Sequence, residues 1–486
     1  MNINAQVASG LRWSGIAAIS TTIAGLLQLV VLFRFLSPTE LGVVAMATVV
    51  ITFSQLLADV GIGNAVIHRQ VLDDVAAASL SWFGFVVGAA IAIALQLVAP
   101  LVAARFDNPA VAPVISLAAL SFLVSPLATV RQATLERDLR FSIIAVIEGA
   151  SALAGCSTAV ILAASDFGPT AYAGALVAVA ITRTAMLTFW GSGPALIGHC
   201  SIAALRPFLA FGGWQWAQRL FTFGVGNVDY LFIGAYLGSH ELGLYMLAFQ
   251  LAVAPTSRLN ALVGRVAFPW LARSRDDRPQ LASRYLLMHE GMSTVNLSLL
   301  GLWFGIGPLV VPQFGGPEWQ GIGPLIGLMA VLAAGRALAG TVSPLLLATG
   351  STRLGFWWSV LICTIQTPSM WAAAAYGQSA LTVAWWFCGL QWLYLMLTYI
   401  LLIRPMLGPY LAAYVRSSLV PVMVAIVGAG VTTAIGRWQA PMDLLLSLQL
   451  LAGSLMLVLV IRLCRRRLLT EFRILLMAKY RPESND

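Results

Sequence analysis

Five arginines, Arg183, Arg219, Arg258, Arg265 and Arg336, stand in stretches otherwise apolar enough to cross a bilayer. An arginine at the centre of a membrane helix costs about 2.5–3.5 kcal/mol, so five facing lipid would cost on the order of 12–17 kcal/mol. Such side chains must turn to a wet interior or reach for the membrane surface. Arg183 and Arg265 lie close enough to span ends to reach out. Arg219, Arg258 and Arg336 are better placed to face a cleft, and Arg258 and Arg265, seven apart, share a helix face. Three acids, Asp59, Glu148 and Asp229, lie within or beside spans. One reading pairs them with the arginines as buried bridges. The other has the arginines bind an anionic substrate while the acids hold them or bind a coupling ion. The forked guanidinium suits phosphate oxygens. Around Arg219 cluster Trp214, Gln215, Trp216, Gln218, Asn227, Asp229 and Tyr230. Flat rings beside amides are what a sugar-binding wall needs; tryptophans of an interfacial belt are the alternative.

The elements that position these residues are membrane spans. A hydrocarbon core of about 30 Å needs roughly 20 helical residues. Fourteen runs meet this: 11–36, 41–66, 76–103, 111–130, 142–164, 170–190, 208–237, 242–268, 286–312, 322–348, 354–376, 380–403, 417–436 and 443–463. Only short loops and one tail remain. Apolar residues make up 59% of the chain and charged residues 10%, against about 25% charged in soluble domains. The expected fold class is an all-α polytopic membrane protein, because continuous apolar runs of this length fit helices rather than the shorter, alternating strands of a barrel.

Charge fixes the expected orientation. Of the 28 Lys and Arg residues, twenty fall on one set of alternate loops, three on the other (Arg34, Arg105 and Arg437), and five within spans. The positive-inside rule then places both termini in the cytoplasm. The net charge of +9 is thereby explained by topology and does not indicate nucleic-acid binding. The tail beyond Arg465 sets Leu468, Leu469, Phe472, Leu475 and Leu476 on one helical face, suited to the anionic inner leaflet. Leu135, Leu139 and Ile143 recur every four residues beside Arg137 and Arg140 in the same manner.

The chain repeats. Set against one another at an offset of 201, residues 11–47 and 212–248 match Trp13 with Trp214, Gly25 with Gly226, Leu36 with Leu237, and Ala47 with Ala248. Glu40-Leu41-Gly42 meets Glu241-Leu242-Gly243. The spacing equals six spans, which implies parallel repeats about an axis along the membrane normal. The expected organisation is an N-terminal lobe over 1–206, a C-terminal lobe over 207–404, an appended pair of spans over 405–463 and a cytoplasmic tail over 464–486. The two lobes should superpose by a pseudo-two-fold rotation. Gly84–Gly88, Gly301–Gly305 and Gly323–Gly327 have close-approach spacing, and Pro126, Pro255, Pro344 and Pro368 interrupt spans.

Enzyme chemistry finds no foothold. No phosphate-binding glycine-lysine loop occurs, so no ATP hydrolysis is expected. The outer loops are too small to present paired carboxylates, which argues against a glycan polymerase. The five cysteines and four histidines are scattered without metal-ligand spacing, so neither metal nor cofactor is expected.

Several segments are similar to motifs of bacterial polysaccharide exporters. Leu36-Ser37-Pro38-Thr39-Glu40-Leu41-Gly42 resembles their turn between the first two spans, with Glu-Leu where an aromatic often precedes the glycine. Asp59-Val60-Gly61-Ile62-Gly63-Asn64-Ala65-Val66-Ile67 resembles a second motif. Phe314-Gly315 with Trp319 and Pro324 resembles an outer loop, and Ala348-Thr349-Gly350 the end of span 10. The resemblance is to the polysaccharide transporter branch, the Wzx-type lipid-linked oligosaccharide flippases, of the multidrug/oligosaccharidyl-lipid/polysaccharide (MOP) exporter superfamily. It implies a flippase of the bacterial inner membrane that moves undecaprenyl-pyrophosphate-linked oligosaccharide outward by alternating access, with other polysaccharide polymerase or export proteins as possible partners. The expected substrate-binding residues are Arg219, Arg258, Arg336, Trp214, Gln215 and Gln218, with Asp59, Glu148 and Asp229 as ion-coupling candidates. The rivals are a cation-coupled drug exporter of the same superfamily, which would want an acidic cavity, and a non-transporting scaffold for glycan enzymes.

Overall fold

The computed structural model describes residues 3–59, 66, 74–190, 201, 223–224, 226–438 and single positions between 445 and 453. Among these, regular structure is helical throughout. In chain order the helices are α1 (Ile3–Phe35), α2 (Pro38–Ala58), α3 (Asp74–Arg105), α4 (Val111–Ala119), α5 (Ser121–Val124), α6 (Pro126–Arg137), α7 (Phe141–Ala164), α8 (Thr170–Trp190), α9 (Gly238–Ala272), α10 (Arg278–Gly315), α11 (Gly323–Gly340), α12 (Val342–Thr349), α13 (Thr352–Tyr376), α14 (Ala380–Thr398), α15 (Arg404–Leu407) and α16 (Leu411–Gly436). Among the described residues eight helical stretches are long and apolar enough to cross a membrane, or nine if a bent pair counts as one span. The expected spans 7 and 14 and the tail lie largely or wholly outside those residues. Two compact units divide the chain: one of 1–247 with 363–380, the other of 248–362 with 381–486.

In the first unit, local chemistry fixes where α2 starts. Ser37 Oγ accepts from the Glu40 amide at 3.3 Å, and Glu40 returns by accepting from the Ser37 amide at 2.9 Å. Pro38 follows the cap, where its missing N–H leaves no bond unmade. Helix α1 packs along α7, and α7 along α8. The fourth span is broken: Val111–Val124 and Pro126–Arg137 meet at 51°. Pro126 has no amide to continue the ladder, and Gly88 on α3 makes room, since a Cβ there would lie 2.7 Å from Pro126 Cγ. Thr184 Oγ1 on α8 donates to the Val124 carbonyl at the break, 3.2 Å away. In this way a neighbouring helix satisfies backbone that lipid cannot.

The sequence repeat has a physical counterpart here. A Cβ on Gly42 would overlap the Ser239 carbonyl, and a Cβ on Gly243 would overlap the Pro38 carbonyl. Pro38 and Ser239, like Gly42 and Gly243, are 201 residues apart. The two contacts therefore join equivalent positions of the sequence repeat. The starts of α2 and α9 cross with backbone against backbone. Glu241 Oε2 accepts from the Ala380 amide at 2.6 Å, so the repeated glutamates both bind main-chain amides.

The periodic Leu135, Leu139 and Ile143 do not form one amphipathic surface helix. Helix α6 ends at Arg137, and Leu139 adopts φ 55° in the turn. Leu135 instead packs with Ala128, Ile147 and Leu187, with Ile143 against them.

In the second unit, α10 lies against α16 along the Gly301–Gly305 stripe, where Gly301 meets the Ala425 backbone and Gly305 meets Thr432. Asp277 caps α10 by accepting from the Gln280 amide at 3.0 Å. Gly350, at φ 70°, ends α12 in the left-handed conformation that glycine adopts most readily. His289 ties three elements. One ring nitrogen bonds Thr341 Oγ1 at 2.9 Å and the other Ser418 Oγ at 2.8 Å, between the rings of Tyr285 and Tyr414.

These close approaches are testable. Gly42→Val forces a side chain into backbone that cannot rotate away, and overpacking of this kind costs about 1–3 kcal/mol. Gly430→Ala on α16 meets nothing within 4 Å and should hold or gain up to ~1 kcal/mol. Thermal unfolding of the purified protein should separate the two; equal Tm values would contradict the crossing.

Candidate functional site

Charged residues in the first unit gather around a polar cavity of about 490 Å³. It lies among the end of α2, α3, the broken span α4–α6, and α8. Its polar lining includes Gln55, Asp59, Gln132, Glu136, Arg183 and Thr184. Arg183 forms an ion pair with Glu148 at 2.9 Å and donates to Gln132 Oε1. Gln132 passes the chain on by donating to Glu136 Oε1 at 2.9 Å. Alongside, Arg131 donates to Thr188 Oγ1 at 2.9 Å. Arg183 therefore does not snorkel: α7 and α8 bring it to Glu148, and each side chain stays about a third exposed, at 36% and 28%. Asp59, at the end of α2, is exposed at the cavity wall.

Asp229 is 1% exposed and accepts from Tyr245 Oη at 2.8 Å, with Tyr230 edge-on to the Tyr245 ring. That hydrogen bond offsets part of the cost of burying a carboxylate.

In the second unit, Arg336 is held between two aromatic rings. Its guanidinium carbon lies 5.2 Å from the Phe249 centroid and 4.9 Å from that of Phe387. Cation–π attraction of this kind is worth about 0.5–2 kcal/mol, more where water is excluded. Among the described residues, no carboxylate pairs with it. Both rings lie within cation–π distance of the guanidinium, and neither neutralises its charge. Arg258 is exposed on α9. Nearby on the same helix, Asn260 Oδ1 accepts from Asn296 Nδ2 at 2.9 Å. Trp214, Gln215, Gln218 and Arg219 lie outside the described residues, as does the Arg265 side chain. Phe249 and Phe387 are the residues beside Arg336 that sequence reading missed; Phe249 is a lone aromatic in an apolar stretch, and Phe387 closes the run Trp385-Trp386-Phe387, which reads as interfacial aromatic. No group of three or more potential metal ligands occurs among the described residues.

Comparison with known proteins identifies the family and the fold. The family described as "Polysaccharide biosynthesis protein" matches residues 31–324, more than half the chain. The chain belongs to this polysaccharide biosynthesis family. Among its relatives is the lipopolysaccharide biosynthesis protein WzxC of Escherichia coli, 29% identical over 443 residues, 90% of this chain and 89% of the relative. Teichuronic acid biosynthesis protein TuaB of Bacillus subtilis is 25% identical, covering 93% of this chain and 95% of its own length. Among solved structures, the lipid II flippase MurJ in an inward closed conformation aligns with a TM-score of 0.71. It shares 12% identity and covers 93% of this chain and 99% of MurJ. An inward-facing multidrug MATE transporter of the MOP superfamily aligns at 0.55 with 14% identity, over 84% of this chain and 96% of its own. At such identities these likenesses concern the fold: this family member is an all-α, multi-pass membrane protein with the MOP exporter fold.

The Arg183–Glu148 pair yields a prediction. Reversing it, as Arg183→Glu with Glu148→Arg, should recover most of the membrane abundance that either single change loses. The coupling in a double-mutant cycle should be about 0.5–1 kcal/mol, because solvent screens a pair this exposed. Additive losses would contradict the pairing.

Proposed function

We propose that this protein is a flippase that carries an undecaprenyl-pyrophosphate-linked oligosaccharide from the inner to the outer leaflet of the bacterial inner membrane by alternating access between two six-helix lobes. The observation that carries the proposal is Arg336: a cation inside a membrane helix, held by Phe249 and Phe387 and, among the described residues, not neutralised by an acid. Support at the level of the family comes from relatives named for glycan assembly, among them the succinoglycan biosynthesis transport protein ExoT of Rhizobium meliloti, 25% identical over 79% of this chain and 78% of its own. The fold shared with a lipid II flippase supports the same reading.

A pyrophosphate diester carries about two negative charges, which cost several kcal/mol if left unpaired in a low-dielectric cleft. Arginine must supply the pairing, since Lys479 at the tail is the chain's lone lysine. We assign this role to Arg336 and Arg258, with Arg219 alongside, and the sugar wall to Trp214, Gln215 and Gln218. Phe249 and Phe387 orient the Arg336 fork so that its edge, not its face, meets the phosphate oxygens. Of the ion-coupling candidates, Glu148 is engaged by Arg183, which leaves Asp59 at the cavity wall and Asp229 as the stronger choices. The reading makes the protein a transporter and not an enzyme, with both termini in the cytoplasm. A cationic site fits a drug exporter of cationic compounds poorly, and a scaffold gives Arg336 no task.

The test is export by variants at normal membrane abundance. Arg336→Ala should lower surface polysaccharide about tenfold or more, from the ~1.5–3 kcal/mol typical of a hydrogen bond to a charged group. Arg336→Lys keeps the charge but loses the fork and should fall between. Wild-type export by well-expressed Arg336→Ala protein would refute the assignment, while loss of the protein itself would mean that Arg336 serves stability.

A further inference from the structure

A second cavity, in the second unit, has a different character. It encloses about 600 Å³ among α10, α11, α14 and α16, at the end of the bundle where 316–322 joins α10 to α11 and α16 stops. Phe304, Pro308, Leu309, Leu328, Val331 and Trp385 make it almost wholly apolar. Its one charged lining residue is Arg437, exposed at the cap of α16, and no acidic residue lines it. Among the described residues Arg437 has no ion pair.

Glycines line the groove where its walls approach closely. Gly323 and Gly327 face it from α11, and Gly436 ends α16 beside Arg437. A Cβ on Gly327 would reach ordinary contact with Phe304 at 3.4 Å, so a longer side chain there would narrow the groove. From Gly323 to Val331 the wall runs eight residues, about 12 Å of helix, most of the ~15 Å depth of one leaflet. Trp385, 63% exposed, stands in the second turn of α14, and the exposed Trp386 and Trp438 flank the same end. Tryptophan at this depth marks the headgroup level. An apolar slot of leaflet depth, with a cation at its mouth that forms no ion pair among the described residues, matches the shape and charge of one lipid.

We infer that this groove binds a single anionic phospholipid of the leaflet on the 316–322 side, its phosphate at Arg437 and one acyl chain between α10, α11 and Trp385. By the charge asymmetry of the loops this is the outer leaflet. The site is independent of the Arg336 site, and its occupancy does not require that the protein be a flippase.

Native mass spectrometry of the purified full chain tests it, with phosphatidylglycerol, phosphatidylethanolamine and undecaprenyl phosphate offered in equal amounts. The wild type should retain one phosphatidylglycerol. Arg437→Gln should cut that retention about fivefold, the equivalent of ~1 kcal/mol for one basic residue at an anionic surface. Gly327→Leu, which fills the slot, should cut retention of any lipid there. Arg437→Gln lies on the surface and leaves the packing untouched, so it decides the matter if Gly327→Leu fails to fold. Retention unchanged in Arg437→Gln, no preference for phosphatidylglycerol over phosphatidylethanolamine, or preference for undecaprenyl phosphate would each overturn the inference.

Discussion

The hydrocarbon core of a bilayer offers no hydrogen-bond partner, so every polar group placed there must be answered from within the protein. That constraint accounts for several contacts between the helices. Thr184 answers the carbonyl freed by the break at Pro126. Hydroxyls of Thr341 and Ser418 answer both nitrogens of His289. Glu148 and Gln132 answer Arg183. Arg336 is answered differently, by aromatic faces that stabilise a cation without neutralising it. Among the described residues Arg183 is paired with a carboxylate and Arg336 is flanked by rings, and the proposed reading of Arg336 as an anion contact rests on that contrast.

Close helix approach is the second requirement, because lipid supplies no hydrophobic drive for apolar helices to associate. Glycine meets it at two kinds of place. On α10, Gly301 and Gly305 let α16 lie against the backbone. At the starts of α2 and α9, Gly42 and Gly243 accept the carbonyls of Ser239 and Pro38. The second pair is the more informative, since the offset of 201 residues that relates the sequences also relates the contacts. A repeat visible as Glu-Leu-Gly is thus a repeat of function at the level of packing: one glycine, one carbonyl, used twice.

Much of this was legible in the sequence, where the signal is local. The Ser37-Pro38-Thr39-Glu40 segment specifies its own helix start, and Ala348-Thr349-Gly350 its helix end. Span limits such as 142–164 and 170–190 fall within a residue of α7 and α8. What was not legible depends on which helix faces meet. Arg183 looked close enough to a span end to reach the surface, and only the packing of α7 on α8 gives it Glu148. Pro126 marked a weak point in the fourth span, but that the bent span fits against α3 depends on Gly88, on another helix. The four-residue period of Leu135, Leu139 and Ile143 suggested a surface helix, and the left-handed turn at Leu139 folds two of the three into the core. Phe249 and Phe387 carry no mark in sequence that distinguishes them from other apolar aromatics, yet they define the setting of Arg336.

The central claim is that the chain moves a lipid-linked oligosaccharide across the membrane. The most direct measurement is the leaflet distribution of that lipid in a deletion strain. Intact spheroplasts would be treated with a membrane-impermeant periodate reagent, and the lipid-linked saccharides then identified by mass spectrometry. A flippase predicts that the saccharide accumulates in a form protected from the reagent, and that restoring the gene returns it to the accessible pool. A saccharide equally accessible with and without the protein would contradict the claim.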